Sequence, residues 1–412
     1  MGWLLILIVP LTYPSLLIIV PSTLIPVTSG RFGFVALLGI VSSNYSDINI
    51  KKIFKLRFVK IFLIFSAILI VSSLRDSPKY VLATYLLDAW FGIGLGFVMI
   101  KSPKDLDKLF KIMVWQSAII GLLIIVEYYT SFNWVLFLRN SLHQIDVSKT
   151  NSSYIRSGVY RPMGIDGNSV QTAYRLVFLF PLTLWYSLRG KFLNFIPLIL
   201  VSIGLIFLQT RAAFISLAFS MIVLIFLVAF SKKDRRMRKR LFKIFFSAIL
   251  FLGIGLFIFS GIYHIAVHFF SGFLGTDTEL SVGHDTRDLF IFIALRHIIS
   301  SPIWGYGSPG YVYNTLMNAM DLPAPILYFL SGGIILFVVY LYQLYFLSTS
   351  LLRYIKKLIV NRDMEYKALF VSIGLIAGNA VLFFNWQENH IMIMYMVYIA
   401  VVKQIFVLNK AI

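Results

Sequence analysis

The sequence predicts an all-α, polytopic integral membrane protein with about twelve transmembrane helices. Three observations carry the prediction. Apolar residues fill 59% of the 412 positions and charged residues only 13%, roughly half the charge of an ordinary soluble domain. The apolar residues come in blocks of about 17 to 25, the length an α-helix needs to cross a bilayer. The blocks recur from end to end with basic residues gathered in alternate connectors, the pattern that sets orientation in a membrane. No stretch is left that would fold as a separate soluble domain, so 1–412 reads as a single membrane domain.

The expected spans follow in order. The first, 3–20, starts at Trp3 with no basic flank and no small-residue cleavage site, and reads as a retained span. The second, 32–48, has the shortest apolar core, because 42–47 is polar. Spans at 57–74 and 80–100 follow, the latter carrying Gly92-x3-Gly96, a spacing suited to close helix packing. The fifth, 108–129, holds an acid, Glu127, near its outer end, where an Arg is its expected partner. The sixth, 169–188, holds Arg175. Spans 192–209 and 211–230 are joined by the tight turn Gln209-Thr210-Arg211. The last four are 241–262, 326–347, 367–385 (with Gly374-x3-Gly378) and 389–408.

Charge fixes the sidedness of this arrangement. Segments 49–60, 101–111, 189–191, 231–243, 353–367 and 403–410 carry 26 of the 37 Lys and Arg. Their heaviest run, Lys232-Lys233-Asp234-Arg235-Arg236-Met237-Arg238-Lys239-Arg240, is too dense to cross a membrane cheaply. Twelve spans place all six segments and both termini in the cytoplasm. The net charge of +20 is thereby accounted for without nucleic acid. Two long segments, 130–168 and 263–325, fall on the opposite side with the polar turn 385–390. Ordered loops of that length are usually functional. The chain has no cysteine, which excludes disulfides and thiolate chemistry.

The remaining eleven basic residues lie on the outer side, and nine are Arg: Arg31, Arg75, Arg139, Arg156, Arg161, Arg175, Arg211, Arg287 and Arg296. Arg offers a planar fork of donors that grips phosphate bidentately and keeps its charge. An Arg at a helix end also snorkels or pairs with an acid. That structural account is weakest for Arg161, Arg175, Arg211 and Arg287 taken together. Arg175 within a span and Arg211 in a tight turn are costly at membrane depth unless they face a polar cavity or an anion. In 281–288, Asp285 reads as the N-cap of a helix over 289–299. His284, Arg287 and Asp288 then share one face, either as an anion grip with a base or as the solvated side of an interfacial helix. His264 and His268 have metal-ligand spacing but no third ligand, so no metal is expected. Asp277-Thr278-Glu279 and Asp105-Leu106-Asp107 look like the acidic pairs of metal-dependent sugar transferases, a pattern common by chance. Gly305-Tyr306-Gly307-Ser308-Pro309-Gly310 fits G-x-G-x-x-G, but without a βαβ context it reads as a tight backbone turn.

Four stretches together resemble the O-antigen polymerase and O-antigen ligase family, the Wzy-type membrane glycosyltransferases. They are Arg161-Pro162-Met163-Gly164-Ile165-Asp166-Gly167-Asn168-Ser169; Gln209-Thr210-Arg211-Ala212-Ala213; Thr286-Arg287-Asp288 leading through 301–311; and Asp321-Leu322-Pro323-Ala324-Pro325 followed by Ser331-Gly332-Gly333. They cover roughly 156–335. The resemblance implies a substrate of oligosaccharide repeat units on undecaprenyl diphosphate, met at the outer face of the inner membrane. It also implies an active site built from a large late loop and membrane-embedded arginines. The His that such ligases carry about a dozen residues before the following glycine-rich span is missing here, where Met320-Asp321 falls. That departure favours a polymerase.

The expectation is therefore a metal-independent, inverting glycosyl transfer that needs no cofactor. Arg161, Arg211 and Arg287, with Arg175 and Arg296 in weaker roles, would bind the donor diphosphate and stabilise the charge growing on it. His284, Asp285 or Asp166 would take the proton of the attacking hydroxyl. Membrane lipid, a chain-length regulator and a flippase are the expected partners, and nucleic acid is not. The rival readings are an O-antigen ligase, a flippase or transporter for the lipid-linked oligosaccharide, a cell-wall polymerase and a non-catalytic scaffold. A transporter calls for repeat symmetry and broken midplane helices, neither of which is clear in the sequence.

Overall fold

The computed structural model describes residues 57–76, 103–133, 137, 155–156, 159–166, 169–188, 192–230, 239, 242, 292–317 and 324–360. Among these the chain is helical apart from one pair of two-residue strands. It divides into two compact units. One comprises 1–112, 286–354 and 378–412, the other 113–285 and 355–377.

In the first unit, α1 (Arg57–Ser73) is 17 residues of almost unbroken apolar sequence. Val59, Phe62, Phe65, Ser66, Leu69 and Ser73 are buried, at the three- and four-residue spacing of one helix face. The two serines satisfy their hydroxyls within the helix, on Phe62 O at 2.8 Å and Leu69 O at 2.5 Å. This lets a polar residue sit on an apolar face without an unpaired group. Phe65 meets the Tyr328 ring edge-on at 5.4 Å and lies 6.3 Å from Tyr340. At the other end Arg57 bonds the Tyr342 hydroxyl at 2.8 Å and stands over the Phe346 ring.

Tyr328 to Phe346 belong to the helix written here as α6 (Ala324–Val360). It is broken at Gly332 (φ −124°, ψ 20°) and Gly333 (φ 65°, ψ −162°). A break inside an apolar helix strands backbone groups that lipid cannot satisfy. The segment 301–308 supplies their partners. Tyr306 N donates to Leu330 O at 2.7 Å, Gly307 N to Ser331 O at 3.0 Å, and Ile334 N to Pro302 O at 2.9 Å. The two chains approach so closely that a Cβ on Gly333 would stand 1.9 Å from Ile303 O. Only glycine fits that place and that φ. Before this turn lies a helical stretch over 292–300; after it come a single turn, Pro309–Tyr311, and a π-helical turn, Val312–Leu316.

The second unit is built on α2 (Pro103–Thr130), α3 (Ser169–Ser187), α4 (Phe195–Leu208) and α5 (Arg211–Phe230). The helix α2 starts in the first unit, with Pro103 at its first position and Asp105 in its first turn, both favourable at a helix N-terminus. It crosses α4 at Gly121 and Gly204, whose backbones nearly touch. Most of α3 is buried, as expected for a helix surrounded by others rather than by lipid. A short antiparallel pair, β1 (Ile155–Arg156) and β2 (Val159–Tyr160), lies within the expected 130–168 loop.

The expected spans 57–74, 108–129, 169–188, 192–209, 211–230 and 326–347 fall on α1 to α6 in turn. Among the described residues two stretches, Asp107–Thr130 and Ala324–Phe346, are long and apolar enough to cross a membrane. The spans 3–20, 32–48, 80–100, 241–262 (apart from 242), 367–385 and 389–408 lie outside the described residues. α6 continues past its expected span to Val360, through Arg353, Lys356 and Lys357, because no Gly or Pro interrupts that sequence and its residues favour helix. The same helix carries the internal break that the sequence did not make clear.

Candidate functional site

The second unit gathers two of the sequence motifs around one carboxylate. Glu127 stands a turn before the end of α2 and is buried. Its Oε1 accepts from Met163 N at 2.8 Å and from the Tyr160 hydroxyl at 3.0 Å, and its Oε2 accepts from Gly164 N at 2.8 Å. A carboxylate that accepts from two successive backbone N–H groups fixes that backbone tightly, since hydrogen bonds to a charged acceptor are the stronger kind. The partner expected for Glu127 was an Arg. Among the described residues the bonds it accepts come from two backbone amides, the Tyr160 hydroxyl and the Asn133 side chain.

The loop so held is the Arg161-Pro162-Met163-Gly164 stretch. Gly164 has φ +68°, and a Cβ there would lie 2.5 Å from the Thr172 side chain. Thr172, on the first turn of α3, bonds Met163 O at 2.7 Å, and Asn133 Nδ2 bonds Gly164 O at 3.0 Å. The loop is thus clasped by Asn133, just past the end of α2, and by Thr172 on α3.

Arg161 reaches the turn between α4 and α5. Its Nε donates to Leu208 O and one Nη donates to Thr210 Oγ1, both at 2.9 Å. Gln209 takes a left-handed conformation, φ 48°, which ends α4 and lets α5 begin two residues later at Arg211. Leu208 O is one of the carbonyls that a helix end leaves without an intrahelical partner. Arg161 therefore supplies a charged C-cap to α4 and pins the residue next to Arg211. Two motifs that lie about fifty residues apart in sequence meet at this contact. Thr210 also bonds Ser169 O at 3.4 Å, tying the start of α3 into the same junction. Arg175, six residues further along α3, is 1% exposed, roughly 9 Å down the helix axis.

The other candidates are distributed differently. Asp166 closes the 3-10 turn Gly164–Asp166, beside the clasped loop. Arg296 lies in the first unit on the 292–300 stretch and is exposed. His284, Asp285 and Arg287 lie outside the described residues, as do His264, His268 and 277–279. The 305–310 motif is the tight turn expected, and it rests on α6 through its backbone. Asp76 accepts from Ser308 N at 2.9 Å and from Ser308 Oγ, and Arg75 donates to Gly305 O at 2.7 Å.

Sequence reasoning missed Glu127, Thr172, Asn133 and Thr210 as the residues that position Arg161. The available signals were the glycine of Arg161-Pro162-Met163-Gly164, which marks a special backbone conformation, and an acid three residues ahead of a polar helix end. No protein-family model matches the chain, and a comparison with curated proteins finds no significant match.

Proposed function

We propose that the chain is a multi-pass protein of the bacterial inner membrane that polymerises undecaprenyl-diphosphate-linked repeat units into O-antigen or a related surface polysaccharide. The observation that carries the reading is the Arg161–Thr210 contact, which joins two arginine motifs of the family resemblance at one junction.

In this reading Arg211 and Arg287 take the donor diphosphate. Arg161 adds positive charge while holding the Arg211 turn, and Arg175 and Arg296 take weaker roles. An acceptor hydroxyl oxygen attacks C1 of the donor sugar, and the C1–O bond to the diphosphate breaks. The proton passes to His284, Asp285 or Asp166, and undecaprenyl diphosphate leaves with its charge balanced by arginine. Arg161 is held in advance by its bonds to Leu208 O and Thr210 Oγ1, so its charge needs little reorganisation during the step.

One observation favours a second reading. The break in α6 at Gly332 and Gly333 is the kind of discontinuous helix found in transporters, which keeps a lipid-linked oligosaccharide flippase in view. The two separate in a strain deleted for this chain. A polymerase leaves single-repeat glycan on the outer leaflet, and restoring the chain returns a ladder of lengths. A flippase leaves the lipid-linked unit on the cytoplasmic leaflet. Long polymer on the carrier that never reaches lipid A core marks a ligase. In the restored strain, Arg211→Ala and Arg287→Ala should each shorten or abolish the ladder at unchanged protein level; full ladders in both would remove the diphosphate clamp.

A further inference from the structure

The helical stretch 292–300 and the residues just after it present an apolar stripe that the first unit leaves uncovered. Phe292 is 71% exposed, Ile299 79% and Trp304 63%, with Leu295 and Ile303 about half exposed. The helical members recur at three- and four-residue spacing, so they form one face, and Arg296 stands exposed within it. The opposite side is anchored: Ala294 is buried, and His297 O accepts from the Tyr306 hydroxyl at 3.0 Å with the two rings edge to face.

Depth follows from a second observation. The turn after Trp304 is tied to Arg75 and Asp76 through Gly305 O and Ser308. These charged residues come straight after α1, whose 17 residues rise about 26 Å, close to the thickness of the hydrocarbon layer. Residues 304–308 therefore sit where α1 leaves the hydrocarbon. An apolar stripe with one Arg inside it and a Trp at its end, held at that level, is matched to the layer where acyl chains meet phosphates.

The geometry points to 292–304 as an in-plane membrane anchor. Its apolar face lies among the acyl chains of the leaflet at the Arg75 end of α1, and Arg296 pairs with phospholipid phosphate. The segment assigned above to a large outer loop is thus seated in the bilayer surface, at the level where a lipid-linked substrate presents its diphosphate. The inference does not depend on the polymerase reading.

The cysteine-free chain gives a direct test. Single variants Phe292→Cys, Leu295→Cys, Ile299→Cys and Ile303→Cys of the full chain are spin-labelled in vesicles of phosphatidylcholine with a minority of phosphatidylglycerol. Depth is read from the ratio of oxygen to nickel-chelate accessibility. All four labels should lie within about 5 Å of one another and roughly 5–10 Å below the phosphates. A steady change of about 10 Å from Phe292 to Ile299 would mean a helix running along the membrane normal and would overturn the proposal. High nickel accessibility at all four would do so as well, and would assign the face to water or a soluble partner. Trp304 supplies a measurement free of labels, as the difference in emission between the chain and Trp304→Phe. Stronger quenching by lipid brominated near the headgroup than by lipid brominated near the chain end is expected; the reverse order overturns it.

Discussion

Glu127 shows how one side chain organises a region through its acceptors. Its carboxylate has two oxygens for Met163 N, Gly164 N and the Tyr160 hydroxyl, and the two backbone bonds are buried. Glu127→Gln keeps the shape but replaces one acceptor oxygen by an NH2 group, so a backbone N–H then faces a donor. Leaving such a group unsatisfied costs about 1–3 kcal/mol. Glu127→Ala removes the acceptor from all three donors at once. The expected order of thermal stability in detergent is therefore wild type, then Gln, then Ala, read as the midpoint of loss of monodisperse protein. Because the loop positions Arg161 and Arg161 holds the turn before Arg211, glycan ladder formation should fall in the same order. Equal midpoints for the three proteins would show that the carboxylate is not what fixes the loop. Arg161 carries a related lesson. Its side chain is valuable for geometry as well as charge, since Lys in its place cannot reproduce a fork that bonds a carbonyl and a hydroxyl together.

At the scale of elements, the break in α6 separates what apolar runs reveal from what they hide. Gly333 combines a positive φ with a backbone carbonyl where a side chain would begin. Gly332 has an ordinary negative φ, and a Cβ there would meet the Leu336 side chain at 2.7 Å. Gly333→Ala should therefore expel 301–308 from its seat and sharply reduce the yield of monodisperse protein. Gly332→Ala should cost less, because a Leu side chain shifts more readily than backbone. Comparable yields for the two variants would argue that the kink tolerates a Cβ. The helices themselves were legible: α1, α3, α4 and α5 lie within a few residues of their expected spans, because long apolar runs bounded by charge or Gly-rich turns leave few alternatives. The break was not legible, since Ser331-Gly332-Gly333 fits helix packing as readily as a kink. The seat of 301–308 is a pairing between backbones, which side-chain patterns do not encode. The partners of Arg161 were hidden for the same reason: Leu208 O is a helix-end carbonyl, and only the left-handed Gln209 makes it available. The arginines were legible as a class through the charge asymmetry of the chain, whereas what Arg161 meets depended on a loop clasped by Glu127.

For the whole molecule, sidedness is the property on which the proposed chemistry rests. A polymerase reading needs Arg161, Arg211 and Arg287 on the face away from the nucleotide pool, where energy is carried by a lipid diphosphate. Charge argues for that placement. The segments expected in the cytoplasm hold 26 of the 37 basic residues, and moving the 231–243 run across a membrane would be costly because positive residues near span ends resist translocation. On the proposed topology 130–168 lies on the opposite side, three expected spans away from 231–243. Since the chain has no cysteine, single variants Ser148→Cys and Ser231→Cys report each side without background. A membrane-impermeant maleimide should label Ser148→Cys in intact spheroplasts and label Ser231→Cys only after lysis. If Ser231→Cys reacts in intact spheroplasts and Ser148→Cys does not, the arginine cluster faces the cytoplasm. A lipid-linked donor would then have to be used before it is flipped, the polymerase reading would fail, and the broken helix α6 would favour a transport role.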